Sequence, residues 1–257
     1  MKGRLPIEIV GGGLAGLSLG IALRRAGIDV TLFEAGDYPR HRVCGEFIAG
    51  LDEATKESLG LAPYLADAHA HTRLAWFANN RAAGSSRLPE PAWGISRYAL
   101  DQRLAEGFVQ AGGKLHVNTR IDLGESRPGR VLASGRRRTR STWIGLKAHV
   151  AHLDTLSDLE LHLAPGAYVG LSGVEGGHSN VCGLFRRRAE EKPEEACLPL
   201  QYYLRAYGFD QLNERLARAQ WIKSSATAVA GFSFAYRAPP QSELAIGDAY
   251  AMIPPFT

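Results

Sequence analysis

The chain has 257 residues, 45% hydrophobic and 22% charged, which suits a globular protein of one large domain or two sharing a core. Its pI near 9.0 comes from one place: six of the 30 basic residues lie between positions 127 and 140, and the other 24 do not outnumber the 26 acidic ones. Cys44, Cys182 and Cys197 are odd in number and far apart, which suggests neither a disulfide framework nor a metal site, and a reducing cytoplasm is the expected compartment. The opening MKGRLPIEIV shows no signal-peptide pattern, and no apolar run has the length of a membrane span.

The first element is a strand carrying Ile7, Ile9 and Val10, followed by Gly11, Gly13 and Gly16 in the G-x-G-x-x-G spacing. This spacing opens a helix from Leu14 to about Ala26. The first glycine permits the turn, the second lets a pyrophosphate approach the backbone, and the third lets the helix pack on the sheet. Leu14 and Ala15 supply free N–H groups for the anion at the helix start. Gly27 closes the helix, and Asp29 to Phe33 form a second strand. Glu34, 18 residues after Gly16, and Ala35 stand at its carboxyl end, where an acid accepts hydrogen bonds from ribose hydroxyls. An acid there favours FAD or NAD over NADP, and the intact strand, turn, helix and strand context outweighs a ligand-free glycine turn.

A loop, AGDYPRHRVCGEFIAG, leads into a short helix from Leu51 to Leu59. Within it, the run Pro39-Arg40-His41-Arg42-Val43-Cys44-Gly45-Glu46-Phe47 resembles the geranylgeranyl reductase branch of the flavoproteins that share the para-hydroxybenzoate hydroxylase fold. The resemblance implies an α/β protein, a Rossmann-like FAD-binding domain with an antiparallel β-sheet substrate domain. It also implies that Cys44 and Gly45 lie beside the isoalloxazine ring and that Arg42 belongs to the flavin site. By its chemistry alone, Cys44 reads as a small buried residue.

Leu74 to Ala78 and Arg87 to Leu88 are expected to form a hairpin. His69 and His71 alternate along an extended segment without an acidic or thiol partner, so no metal is expected there. Ser96 caps a helix from Tyr98 to Ala111 with Leu100, Leu104 and Phe108 on one face, and Gly112-Gly113 ends it. Ile95-Ser96-Arg97 followed by Leu100-Asp101 resembles the family segment whose arginine reaches the flavin nucleotide. That makes Arg97 a candidate against its plain reading as a surface arginine. A strand with Leu115 and Val117 is expected to end near Ile121, where the family touches adenine through the backbone.

Arg127, Arg130, Arg136, Arg137, Arg138 and Arg140 share a span with no acid and no interleaved aromatic. It reads as a solvated loop or a peripheral contact for anionic lipid or phosphate, not as a nucleic-acid groove. The family's Gly-Ala-Asp-Gly type motif does not appear between Arg140 and Trp143, so the flavin site is expected to lack that support.

From Trp143 the texture becomes β-rich, with WIGLKAHV, LELHLA, AYVGLSGV and SNVCGLF as strands. Lys147 and His149 share one strand face that could point at a substrate or the flavin edge; for these two, and for His152 and Asp154 in the following turn, the solvated reading is the expected one. A charged connector, RRRAEEKPEE, precedes one amphipathic helix from Leu200 to Gln220, then a return strand from Ala226 to Tyr236. Gly247-Asp248 resembles the family's Gly-Asp motif, whose aspartate binds a ribityl hydroxyl, and the loop after it, ending IPPFT, strengthens the likeness. Thr257 falls where relatives place a Gly-x-Gly and a further helix, so the flavin's pyrimidine end is expected to be less supported and harder to reduce.

These readings divide the chain into an FAD-binding domain (1–70, 94–142 and 240–257) and a substrate domain (71–93 and 143–239). The implied function is transfer of hydride from NAD(P)H through FAD to a double bond in an apolar small molecule, an isoprenoid or a polyketide. A monooxygenase or hydroxylase on the same scaffold is the alternative; its halogenase form is disfavoured because no W-x-W-x-I-P run occurs. A non-catalytic nucleotide-binding remnant is the third reading. No residue stands out as general acid or base.

Overall fold

The computed structural model describes residues 5–123, 126–136, 139–187, 197–231 and 244–252. In chain order the elements are β1 (Ile7–Val10), α1 (Leu14–Arg25), β2 (Val30–Phe33), β3 (Phe47–Ile48), α2 (Glu53–Leu59), β4 (His69–Ala78), β5 (Arg81–Gly94), α3 (Arg97–Gln110), β6 (Lys114–His116) and β7 (Arg130–Leu132). There follow β8 (Trp143–Ala151), β9 (Leu159–Ala164), β10 (Ala167–Val174), β11 (His178–Arg186), α4 (Pro199–Ala206), α5 (Asp210–Leu216), β12 (Gln220–Ala230) and β13 (Leu244–Ala245).

The strands make two sheets. The first is parallel, in the order β13-β7-β1-β2-β6. Its order reverses at β1, which has β2 on one side and β7 on the other, and the crevice at the carboxyl ends of such strands is where open α/β sheets take ligands. Ile9, Leu32 and Val131 from these strands pack with Leu17 and Ile21 of α1 and Leu104 and Phe108 of α3 in one buried core. The second sheet has the order β12-β8-β11-β10-β9-β4-β5-β3. It is antiparallel except where β4 runs parallel to β9. Its own core joins Val150, Val169, Val181 and Phe185 to Leu204 of α4 and Leu212 of α5. The expected α/β architecture is therefore present.

Several expected boundaries move. The hairpin is longer, because β4 and β5 pair along most of their length despite the polar, glycine-containing sequence of β5. β6 stops at His116, and Asn118 turns the chain with φ 51°. The single helix from Leu200 to Gln220 is two helices, broken at Gly208, whose φ of 68° is left-handed. The leucine stripe survives the break, since Leu204, Leu212 and Leu216 all enter the second core. The return strand begins at Gln220 rather than Ala226. Among the described residues it is an edge strand paired only with β8, and it tolerates Lys223 and Ser224 facing outward. Residues 232–236 of that expected strand, most of the charged connector, and IPPFT lie outside the described residues.

Candidate functional site

The glycine turn is built by close approach. Gly11 has φ 115°, and a Cβ there would lie 2.2 Å from the Ala133 carbonyl oxygen; one on Gly16 would lie 2.0 Å from that of Gly11. At Gly13 the same atom would meet only Nη2 of Arg97, at 3.8 Å. The turn is thus packed where strand, turn and helix meet, and open where a ligand approaches. Helix α1 has no side-chain cap and no acid in its first turn, so N–H groups at Leu14, Ala15 and Gly16 point outward unpaired with helix carbonyls.

Glu34 is buried beside this opening. Its Oε2 accepts from the Gly12 N–H at 2.8 Å, and its Oε1 accepts from the Gly36 N–H at 2.9 Å and from Arg40 Nη2 at 2.5 Å. Burial alone would raise its pKa, but the Gly36 N–H, Arg40 and the Gly12 N–H outweigh it, so the carboxyl stays below its ordinary value. Tyr38 Oη donates to the Gly12 carbonyl at 2.5 Å. Ala35 is exposed next to Glu34.

Arginines converge on the same opening. Arg97 is not a free surface residue: its Nε and Nη2 hold Asp101 at 2.7 and 2.8 Å, one helical turn along α3. Arg42 Nε reaches the same carboxylate at 2.9 Å. Arg40, Arg42 and Arg97 face only Glu34 and Asp101 among these pairs, which leaves one net positive charge beside the glycine turn. Arg42 Nη2 and Arg40 Nε are buried without a hydrogen-bond partner among the described residues, an arrangement that suits a missing anion.

The other sequence candidates arrive from distant parts of the chain. A Cβ on Gly247 (φ 57°) would lie 2.9 Å from that of Ala15, so the Gly247-Asp248 turn abuts the start of α1, with Asp248 exposed. Ile121 packs on Val10, Leu132 and Ala245, in the strands β1, β7 and β13. Cys44 and Gly45 are tied to the second sheet: Asn180 Nδ2 donates to the Cys44 carbonyl at 3.0 Å, and Ser172 Oγ donates to that of Gly45 at 2.6 Å. Gly11, Gly13, Ala15, Gly16, Glu34, Arg42, Arg97 and Gly247 are therefore gathered around one opening, with the Cys44-Gly45 loop tied to the adjoining sheet.

One expectation is corrected. Lys147 and His149 are buried, not solvated, because Glu46 compensates them. Lys147 Nζ donates to Glu46 Oε1 at 2.9 Å and His149 Nε2 lies 2.5 Å from Oε2, while the Arg97 N–H donates to Oε1 at 3.0 Å. Burial opposes the Glu46 charge, but the hydrogen bond from His149 and the charge of Lys147 prevail and lower its pKa. Within the arginine-rich span, Arg130 pairs with Glu8 at 2.5 Å and Arg136 donates to the carbonyls of Gly231 and Ala230, so these two are structural; Arg137 and Arg138 lie outside the described residues.

Sequence reasoning did not single out Tyr38, Arg40, Glu46 or Asp101. Two of these carry a legible signal: Asp101 lies four positions after Arg97, and a lysine inside the apolar run WIGLKAHV needs a buried acid. His41 completes the Glu46 group, with Nδ1 3.2 Å from Lys147 Nζ. The ligand-type atoms of His41, Glu46 and His149 lie within 4.8 Å of one another, and the Lys147 ammonium already supplies a cation there. His71 is buried and its Nε2 contacts the Gly173 carbonyl at 3.0 Å.

Residues 9–43 match the family model of an NAD(P)-binding Rossmann-like domain. A menaquinone reductase of Mycolicibacterium smegmatis is 28% identical over 145 residues, which are 52% of this chain and 34% of that protein. One from Mycobacterium tuberculosis is 27% identical over 113 residues, 42% of this chain and 28% of that protein. The matched stretch thus spans about a third of these relatives. Among solved structures, a myxobacterial chondrochloren halogenase, described as FAD-dependent, superimposes with a TM-score of 0.77 at 16% identity, covering 97% of this chain and 69% of its own. A flavoprotein/dehydrogenase from Cytophaga hutchinsonii gives 0.75 at 14%, covering 98% and 73%. A probable FAD-dependent monooxygenase from Pseudomonas aeruginosa gives 0.73 at 14%, covering 99% and 81%.

Proposed function

From a fold shared with FAD-dependent halogenases and monooxygenases, we propose that the chain is an FAD-dependent oxidoreductase. In this reading it reduces a double bond in an apolar, prenylated acceptor with electrons from NAD(P)H. The observation that carries the reading is the convergence of the glycine turn, Glu34, Arg42, Arg97 and Gly247 on one opening that has spare positive charge and buried arginine nitrogens without a hydrogen bond among the described residues. These residues fit a dinucleotide. The turn and the start of α1 would hold the diphosphate, Glu34 the adenosine ribose, and Asp248 a ribityl hydroxyl. When bound, FAD supplies the two-electron chemistry. The chain's own work is to orient it, with Cys44 and Gly45 fixed by Asn180 and Ser172 on the acceptor side.

The curated relatives, named menaquinone reductases, favour a quinone-type isoprenoid acceptor. The halogenase and monooxygenase neighbours favour a second reading, in which reduced flavin reacts with oxygen. A visible spectrum with and without added FAD tests the cofactor, and a colourless protein that takes up no FAD overturns both readings. Anaerobic incubation with FAD, NAD(P)H and a short-chain prenylated naphthoquinone should give a product that is still two hydrogens heavier by mass spectrometry after any quinol has been reoxidised in air. Product formation that strictly requires oxygen selects the second reading.

A further inference from the structure

Reduction of a double bond leaves one proton to be accounted for: hydride adds at one carbon, and the electron pair displaced to the other must collect a proton. The Glu46 group holds such a proton. Lys147 is 1% exposed, its ammonium stands 2.9 Å from Glu46 and 3.2 Å from His41 Nδ1, and an ammonium has donors only. That contact makes Nδ1 an acceptor, so a neutral His41 carries its proton on Nε2. Lys147, His149 and Glu46 are buried, whereas His41 is only half-buried. It sits three residues before Cys44 and stacks at 4.6 Å on the exposed ring of Tyr98.

We propose that His41 is the proton donor to the acceptor and that Lys147 is the source that recharges it, with Glu46 and His149 as positioning residues. The proposal rests on the oxidoreductase reading. The step balances: hydride from reduced flavin brings two electrons and forms one C–H bond, and the flavin is oxidised. The displaced π pair takes the Nε2 proton and forms the second C–H bond, while a Lys147 proton moves to Nδ1. The step leaves His41 with its proton on Nδ1 beside a neutral Lys147 amine; solvent then protonates Nε2 of the half-buried ring and the Nδ1 proton returns to Lys147, which restores both groups. The groups facing His41 agree with this. Burial first, then Lys147 and His149 on β8, lower its pKa to about 4 against the opposing charges of Glu46 and Glu175. The ring therefore stays neutral across the working range.

Histidine-selective 15N NMR of the full chain, with His41 assigned by its loss in His41→Gln, reads the tautomer without any turnover. The expected result is an Nε2–H imidazole that remains neutral down to about pH 5. A proton on Nδ1, or titration in the ordinary histidine range, overturns the relay whatever the enzyme does. In the FAD-loaded protein, His41→Gln should keep the flavin spectrum, the FAD affinity and the rate of flavin reduction by NAD(P)H. Its rate of saturation of the prenyl double bond of the naphthoquinone, read by mass after any quinol is reoxidised in air, should fall about 100-fold or more. Saturation at the unaltered protein's rate overturns the proposal. If the unaltered, FAD-loaded protein transfers nothing to the acceptor, the oxidoreductase reading fails and the relay with it; a wrong tautomer removes the relay alone.

Discussion

At the scale of single residues, Glu34 and Gly16 were legible because their chemistry is local: spacing alone places a glycine at the helix entry and an acid at the strand end. Glu34→Ala removes a charged acceptor, so FAD affinity measured by titration should fall by about 1.5 to 3 kcal/mol, roughly ten- to more than a hundredfold in Kd. An unchanged Kd would take Glu34 out of the site. Gly16→Ala sets a Cβ 2.0 Å from a carbonyl oxygen that cannot turn aside, and should cost about 1 to 3 kcal/mol in urea-melt stability. Arg40 and Tyr38 were not legible, since their roles depend on a loop path back to positions 12 and 34; the lysine in WIGLKAHV signals a buried acid but not that Glu46, 101 residues earlier, supplies it. Glu46 even adopts φ 56°, a conformation that nothing in its side chain announces.

Among elements, sequence periodicity found both cores and most strands, and failed where pairing or a glycine overrode composition. β5 and the start of β12 are polar and form strands because neighbours hydrogen-bond to them. The helix after Pro199 reads as continuous because its leucines keep their period across Gly208. The second of those helices is fastened to the sheet by one buried acid: Glu160 on β9 receives Arg215 of α5 at 2.7 and 2.8 Å and meets His162 at 3.0 Å. Burial opposes its charge, but the His162 and Arg215 hydrogen bonds bring its pKa down from 4.5 to about 2. A depressed carboxyl contributes stability that is full above its unfolded pKa and is lost as pH falls through the folded one. The urea midpoint should therefore drop between about pH 4.5 and 2, and Glu160→Gln should flatten that part of the profile. An identical acid limb in the variant would show that other carboxylates govern it.

Over the whole molecule, the two sheets meet through polar ties: Ser96 N–H to Glu175 at 2.8 Å, Ser172 to Gly45, Asn180 to Cys44, and Lys147 to Glu46. No membrane-length apolar helix occurs among the described residues. Lys147→Met leaves Glu46 buried with half its compensation, and should destabilise by about 3 to 5 kcal/mol. All four tryptophans, Trp76, Trp93, Trp143 and Trp221, lie in the second sheet, so fluorescence reports that sheet while release of FAD reports the first. Both transitions should move to lower urea together in this variant. A shift in one probe alone would mean that the ties do not couple the sheets.

One feature of that second sheet governs how the molecule behaves in a crowd of its own copies. Among the described residues, the outer side of β5 is paired only at Trp93 and Gly94, through the two residues of β3, so there the stretch from Arg81 to Pro91 presents a strand edge. Such an edge is a template for another chain. Pro89 and Pro91 have no N–H to offer an incoming strand, and Arg81, Arg87 and Glu90 would have to surrender their hydration to admit one. Replacing both prolines with threonine should leave the fold intact but turn concentrated solutions cloudy and raise light scattering with time. The guard against strand-to-strand association thus lies in the polar and proline residues that keep this stretch from reading as a strand in the sequence.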